Sequence, residues 1–136
     1  AGRTVIMTAD VAKGIVDNAI NTTGIVDATS ATYADGGDII LSGGENNILV
    51  GGTLDASGKN GTQKGGSIKV ETTGDIKLAS GAKLDASGNT GGGSVKVGGN
   101  AHGAAGMARA ANVTVEQGAA IDVSAINSGN GGEAVV

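Results

Sequence analysis

The sequence predicts an all-β chain wound as a parallel β-helix, with three short strands per coil and roughly four to five coils. Three observations carry this expectation. The run LDASGKNGTQKGGSIKV (54–70) is nearly repeated as LDASGNTGGGSVKV (84–97). Set in register, Leu54 to Gly58 fall on Leu84 to Gly88, and Gly65 to Val70 fall on Gly92 to Val97. Looser copies flank the pair: Val26-Asp-Ala-Thr-Ser with Gly36 to Leu41, and Ile121-Asp-Val-Ser-Ala with Gly131 to Val136. Second, aliphatic residues recur in pairs with one residue between them, the period that places side chains on one face of a strand. Third, the chain of 136 residues holds 27 glycines, no Pro, Phe, Trp or Cys, and Tyr33 as its one aromatic. Large anchoring side chains are missing, so the core must be stacked Val, Ile, Leu and Ala. Collagen is excluded because Gly is not every third residue, and the regular alternation argues against disorder.

Taken in order, residues 3–9 (RTVIMTA) read as a strand, with Gly2 to Met7 echoing the later Gly-Gly-x-Ile-x-Val units. Over 10–18 the pattern shifts: Asp10 can cap a helical turn and Val11, Ile15 and Ala19 recur every fourth residue, although Gly14 opposes a helix. A short helix or irregular turn is expected there, making 1–24 an irregular first coil and 25–136 the regular coils. From Ile25 onward three strands per coil can be assigned. The first carries Val26/Ala28, Leu54/Ala56, Leu84/Ala86 and Ile121/Val123. The second carries Ile39/Leu41, Ile68/Val70, Val95/Val97 and Ala134/Val136, and the third carries Ile48/Val50, Ile76/Leu78 and Val113/Val115. Each third-strand pair follows Asn47, Asp75 or Asn112. The intervening Asp55, Lys69, Lys77, Lys96 and Thr114 are expected to face outward.

The first strand returns after 28, 30 and 37 residues (Val26, Leu54, Leu84, Ile121), so corners must absorb the difference in length. The longest corner is the insertion 98–112 (GGNAHGAAGMARAAN). A β-sandwich or hairpin meander would also suit short strands and turns. The repeat decides against it, because only stacking requires Leu54 on Leu84, Ile68 on Val95 and Ile76 on Val113. A repeat array has no natural length, and a strand cut at Val135-Val136, with neither Met nor signal peptide at Ala1, reads as one piece of a longer array.

Thirteen acidic against nine basic residues give a net charge of −4. With no basic patch and no aromatics for base stacking, nucleic acid is excluded as a partner. No apolar run approaches the ~18 residues that span a bilayer. The absence of Cys removes disulfides and thiolate metal sites, and suits a cytosolic protein or an exported one equally.

Four aspartates, Asp27, Asp55, Asp85 and Asp122, hold the same outward position in successive coils and form a ladder of carboxylates. Such a ladder is the chain's candidate cation rail, or an acidic site of the kind that cleaves polysaccharides. Turn closure by each Asp, with a neighbour such as Lys83 offsetting its charge, is the preferred reading, because catalytic carboxylates need dissimilar surroundings and these repeat one environment. Mutual repulsion predicts a raised pKa for some of them. The calcium-binding nonapeptide G-G-x-G-x-D-x-U-x is absent, as are phosphate-cradling glycine loops, and coil corners account for the glycines. No cofactor is expected. His102 is the only histidine, so no imidazole cluster exists; with Met107 and Arg109 it sits in the long insertion, where a binding loop is conceivable and packing back onto the coil is preferred. Thr22-Thr23 and Thr72-Thr73 do not recur on one face, which argues against an ice-binding array.

The runs Thr8-Ala-Asp, VDNAINTTGIVDAT (16–29), LDASGNTGGGSVKVGGN (84–100) and Ile121-Asp-Val-Ser-Ala with GGEAVV (131–136) resemble the large secreted exoproteins of the filamentous haemagglutinin type. That resemblance covers almost the whole chain through motifs of low complexity. It implies a right-handed parallel β-helix forming a fibre, exported by an outer-membrane transporter of the two-partner pathway to the surface of a Gram-negative bacterium. Members serve as adhesins, biofilm-matrix proteins, haemolysins or toxin carriers, and the family's secretion motifs are not visible here. The expectation is a non-enzymatic structural shaft, with a host-cell or matrix ligand, carbohydrate among the possibilities, and end-to-end or side-by-side self-association. The alternative is a polysaccharide-binding or polysaccharide-cleaving β-helix acting through the Asp27/Asp55/Asp85/Asp122 face.

Overall fold

A computed structural model of the protein describes residues 4–8, 18–22, 25–27, 37–99 and 107–136. Its strands follow one another in triplets. The first comprises β1 (Thr4–Thr8), β2 (Asn18–Thr22) and β3 (Ile25–Asp27). The second is β4 (Asp38–Ser42), β5 (Asn47–Val50) and β6 (Thr53–Asp55), and the third is β7 (Ser67–Glu71), β8 (Asp75–Leu78) and β9 (Lys83–Asp85). Then come β10 (Ser94–Val97), β11 (Asn112–Val115) and β12 (Ala120–Asp122), and finally β13 (Glu133–Val135). Among the described residues there is no helix.

Each triplet contributes one strand to each of three sheets, ordered β1-β4-β7-β10-β13, β2-β5-β8-β11 and β3-β6-β9-β12. All pairings are parallel. Parallel neighbours cannot be joined by a hairpin, so the chain must travel through the other two sheets before returning beside itself. Strands visited in rotation in this way are consistent with a parallel β-helix-like fold.

The register is the one the repeat dictates. Leu54 stands opposite Leu84, Ile68 opposite Val95 and Ile76 opposite Val113. Because successive side chains alternate faces, aligning one residue of a strand aligns the rest of that strand as well. Their aliphatic pairs form one continuous core: Ile39, Leu41, Ile48, Val50, Leu54, Ile68, Val70, Ile76, Leu78, Leu84, Val95 and Val97 are each at most 1% exposed. Lys77 and Thr114 are exposed, while Asp55, Lys69 and Lys96 are half-buried on the outer face. Burial weakens over the last coil. Val113, Ile121 and Val123 are partly buried against the core, and Val115 reaches 48% exposure.

Strand pairing reaches further toward the amino terminus than the alternation indicates. β1 lies within the expected strand 3–9 and stacks Val5 on Ile39 and Met7 on Leu41. β2 is a strand that the sequence reading does not assign. Asn18, expected to end a helix or turn over 10–18, instead opens β2 and pairs with Asn47, and a register shift between Asn18 and Ile20 sets Ile20 on Ile48. Residues 10–17 of that expected helix lie outside the described residues.

The glycine corners are tighter than a simple bend. Gly66 N–H donates to Ala56 C=O (2.8 Å), Gly93 N–H to Ala86 C=O (2.8 Å) and Gly132 N–H to Val123 C=O (2.7 Å). The end of the first strand and the approach to the next coil therefore touch backbone to backbone. A Cβ on Gly65 would sit 1.8 Å from Ala86 O, and one on Gly92 1.8 Å from Val123 O, so no side chain fits at the pinch. The residues cut off by it (57–64, 87–91 and 124–130) project as a small fin and stack on each other, through Asn89 N–H to Gly58 C=O (2.7 Å), Thr90 Oγ1 to Thr62 C=O (2.7 Å) and Asn127 N–H to Asn89 C=O (3.0 Å).

Candidate functional site

The aspartate ladder is real as a placement. Asp27 pairs in register with Asp55, Asp55 with Asp85, and Asp85 with Asp122. Each described carboxylate closes the turn that follows its strand. Asp55 Oδ1 accepts from Ser57 N–H (3.0 Å) and Ser57 Oγ (2.6 Å), Asp85 Oδ1 from Ser87 N–H (2.9 Å) and Ser87 Oγ (2.5 Å), and Asp122 Oδ1 from Ser124 N–H (2.9 Å). An Asp two residues before a Ser favours this local bond because its short side chain reaches the second following amide. The spacing Asp-x-Ser recurs at 55–57, 85–87 and 122–124 and was available in the sequence.

The rungs differ more than the repeat implies. Asp85 is not an outward, solvated carboxylate: its side chain is 2% exposed, whereas Asp55 and Asp122 are half-buried. It stands between the rungs Asp55 and Asp122, with the Lys59 ammonium against it. Lys59 leaves the fin and sets its Nζ 2.6 Å from Asp85 Oδ2, while Lys83, the neighbour the sequence singles out, stands at 3.9 Å. Asp85 consequently titrates below the usual carboxylate range, opposite to the rise that repulsion alone predicts. Burial is the largest single influence and pushes it up, but the hydrogen bonds from Lys59 and Ser87 and the charge of Lys59 together outweigh burial. Lys59 is raised in turn, first by its hydrogen bond to Asp85, against desolvation, and further by the charges of Asp85, Asp55 and Asp122. The Lys59 ammonium thus pairs with Asp85 and feels the charge of the carboxylates on the neighbouring rungs. Lys59 was not flagged by sequence because only the path of the fin brings it back over the next coil.

Among the described residues no group of three or more His, Cys, Asp or Glu is arranged to hold a metal ion. Oδ1 of Asp55, Asp85 and Asp122 is taken up by serine donors and Oδ2 of Asp85 by Lys59. Of the insertion residues, His102 lies outside the described residues. Met107 is buried, at 9% exposure, and Arg109 is exposed beside a small cavity of about 210 Å³ shared with Val97, Ala110, Val113 and Val135. The insertion is pinned at its base, where Ala110 N–H donates to Gly98 C=O (3.0 Å) and Ala108 N–H to Glu71 Oε2 (3.1 Å).

Among the described residues a larger concavity than the one beside Arg109 belongs to a different sheet. A groove of about 490 Å³ crosses the outer face of β5, β8 and β11 between the row Asn47, Asp75, Asn112 and the residues Lys77 and Thr114. Asn47 Oδ1 accepts from Asp75 N–H (2.9 Å) and Asn112 Nδ2 donates to Asp75 Oδ1 (2.9 Å), so the row is a cross-strand polar ladder. Lys77 is held to Glu116 at 2.8 Å. The recurrence of Asn or Asp ahead of each third strand was visible in the sequence; that it lines a groove was not. Comparison with protein-family models and with curated proteins finds no match for this chain.

Proposed function

We propose that the chain is a structural shaft: a right-handed β-helix of roughly four to five coils that holds other parts of a secreted, adhesin-like or biofilm-matrix exoprotein away from the cell surface. The observation that supports it is the in-register pairing from β4 to β10, in which strand after strand stacks on its own equivalent. Right-handed winding is the hand that a strand, crossover and parallel strand adopt almost without exception. Export through a two-partner outer-membrane transporter, placement outside a Gram-negative cell, and a host-cell or matrix ligand carried elsewhere on the fibre belong to the same reading, which rests on the resemblance of the repeats. The aspartates then act as turn closers rather than catalysts, in keeping with the serine bonds and the Lys59 pair.

Two experiments test the shaft. Removing residues 54–83 joins Thr53 to Leu84 and deletes one whole coil; the product is expected to stay folded and to shorten by about one strand spacing, ~4.8 Å, in small-angle scattering. A deletion product that unfolds sinks the reading. Antibodies against this segment are expected to label intact producing cells, and labelling only after permeabilisation counts against the surface placement.

One observation favours a second reading, polysaccharide binding, but on the Asn47/Asp75/Asn112 groove rather than the Asp27/Asp55/Asp85/Asp122 face. Amides flanking a carboxylate offer both donors and acceptors to hydroxyl groups. Binding of a defined oligosaccharide series that is unchanged by Asn112→Ala and Asp75→Ala rejects it.

A further inference from the structure

We propose that Asn60–Gly61, at the tip of the fin, is a site of spontaneous backbone modification at which the asparagine converts to aspartate and isoaspartate. The inference needs only the turn and is independent of the export route. In this reaction the Gly61 backbone nitrogen loses its proton and attacks Asn60 Cγ, a new C–N bond closes a five-membered succinimide, and the side-chain NH2 takes up a proton and leaves as ammonia as its bond to Cγ breaks. Water from the solvent then opens the ring at either carbonyl, giving aspartate by one route and isoaspartate by the other. No other reactant is needed.

Three features of the turn favour it. Residues 59–62 are all exposed, so Asn60 Cγ is open to solvent and the leaving ammonia has a free path. Gly61 carries no side chain to crowd the attack on Asn60, and the space where a Cβ would stand is open, with nothing within 4 Å. The turn's hydrogen bonds also bypass the Gly61 N–H: Gln63 N–H donates to Asn60 C=O (2.9 Å), Asn60 N–H to Gln63 Oε1 (3.0 Å), and Gly61 contributes its carbonyl, accepting from Asn89 Nδ2.

Asn130–Gly131 is a second Asn-Gly pair in the same fin and serves as an internal comparison. Closing the ring requires rotating the Asn carbonyl. At Asn130 that carbonyl accepts Gly92 N–H (3.0 Å), a bond between neighbouring coils beside the pinch, whereas at Asn60 the bond disturbed is a local one to Gln63 within a single turn whose residues 60–62 are exposed. Asn60 therefore reacts first. The product matters to the fold because isoaspartate adds a backbone methylene to a four-residue turn that orients Gln63, 2% exposed at the root of the fin, and places a new negative charge next to Lys59.

The test incubates the purified full chain at mildly alkaline pH and follows the mass gain of NH2 replaced by OH, mapped by peptide mass spectrometry, with isoaspartate counted by an isoaspartate-specific methyltransferase. The gain is expected to map first to Asn60, to accelerate with pH, and to fall at least roughly tenfold in Asn60→Gln, an increase of about 1.4 kcal/mol in the barrier. The same chain in denaturant provides the reference. If Asn60 survives in the folded chain while the denatured chain loses it, or if the first gain maps to Asn130 or another asparagine, the proposal is overturned.

Discussion

At the scale of single residues, Asp85 is the clearest case of a charge whose surroundings define its role. Its carboxylate satisfies the hydroxyl and the backbone amide of buried Ser87, so Asp85→Ala leaves donors without partners and is expected to destabilise the protein by about 1–3 kcal/mol in chemical denaturation. Asp122→Ala, on the partly solvated rung, should lose clearly less. Acid behaviour follows from the same contacts. The folded-state pKa of Asp85 is below its unfolded value of 3.8, so its stabilising contribution is complete above that value and disappears as pH falls through the folded pKa. Lys59 is raised above 10.5, and its contribution is present below that value and disappears as pH rises through the folded pKa. Asp85→Asn is therefore expected to flatten the acid limb of the stability curve below about pH 4. Adjacent glycines offer a sharper contrast: Gly91→Ala meets its first atom at 3.6 Å and should be tolerated, whereas Gly92→Ala drives a methyl into Val123 O and should prevent the pinch from closing, seen as loss of protease resistance. The Asp-x-Ser turns were legible from spacing alone. The Lys59 contact was not, since a long flexible side chain crossing between coils leaves no periodic trace.

At the scale of elements, the three strands of each regular coil and their partners could be read from the sequence because the inward pairs are spaced by two and the corners are marked by glycine. Reading failed at β2 for a physical reason. The register shift between Asn18 and Ile20 breaks the period-two pattern, and the local spacing of Val11, Ile15 and Ala19 competes with it. What did survive in the sequence was Asn18 standing where Asn47, Asp75 and Asn112 stand in later coils. The core position of a strand residue sets its sensitivity. Ile76→Ala, at 1% exposure between Ile48 and Val113, should lose about 2–5 kcal/mol, whereas Ile126→Ala, at 54% exposure in the fin, should stay within roughly 0.5 kcal/mol of the parent.

At the scale of the whole molecule, each coil is stabilised by the coils on either side, and burial falls from the fully enclosed inward aliphatics of β4 to β10 to the partly exposed ones of β11 to β13. Hydrogen exchange should follow that gradient, with amides of β7 to β9 protected longest and those of β12 and β13 exchanging first through local opening. Uniform protection across all coils would show that the stack opens only as one unit. The parallel ladders also have a mechanical meaning. Their hydrogen bonds all point from coil to coil, so tension applied between the two ends loads them one rung at a time instead of in parallel, as it would along the strands. Stretched in that direction the protein should yield in instalments, each detached coil of about thirty residues adding ~100 Å of extended chain, so that the stack would lengthen stepwise under pull.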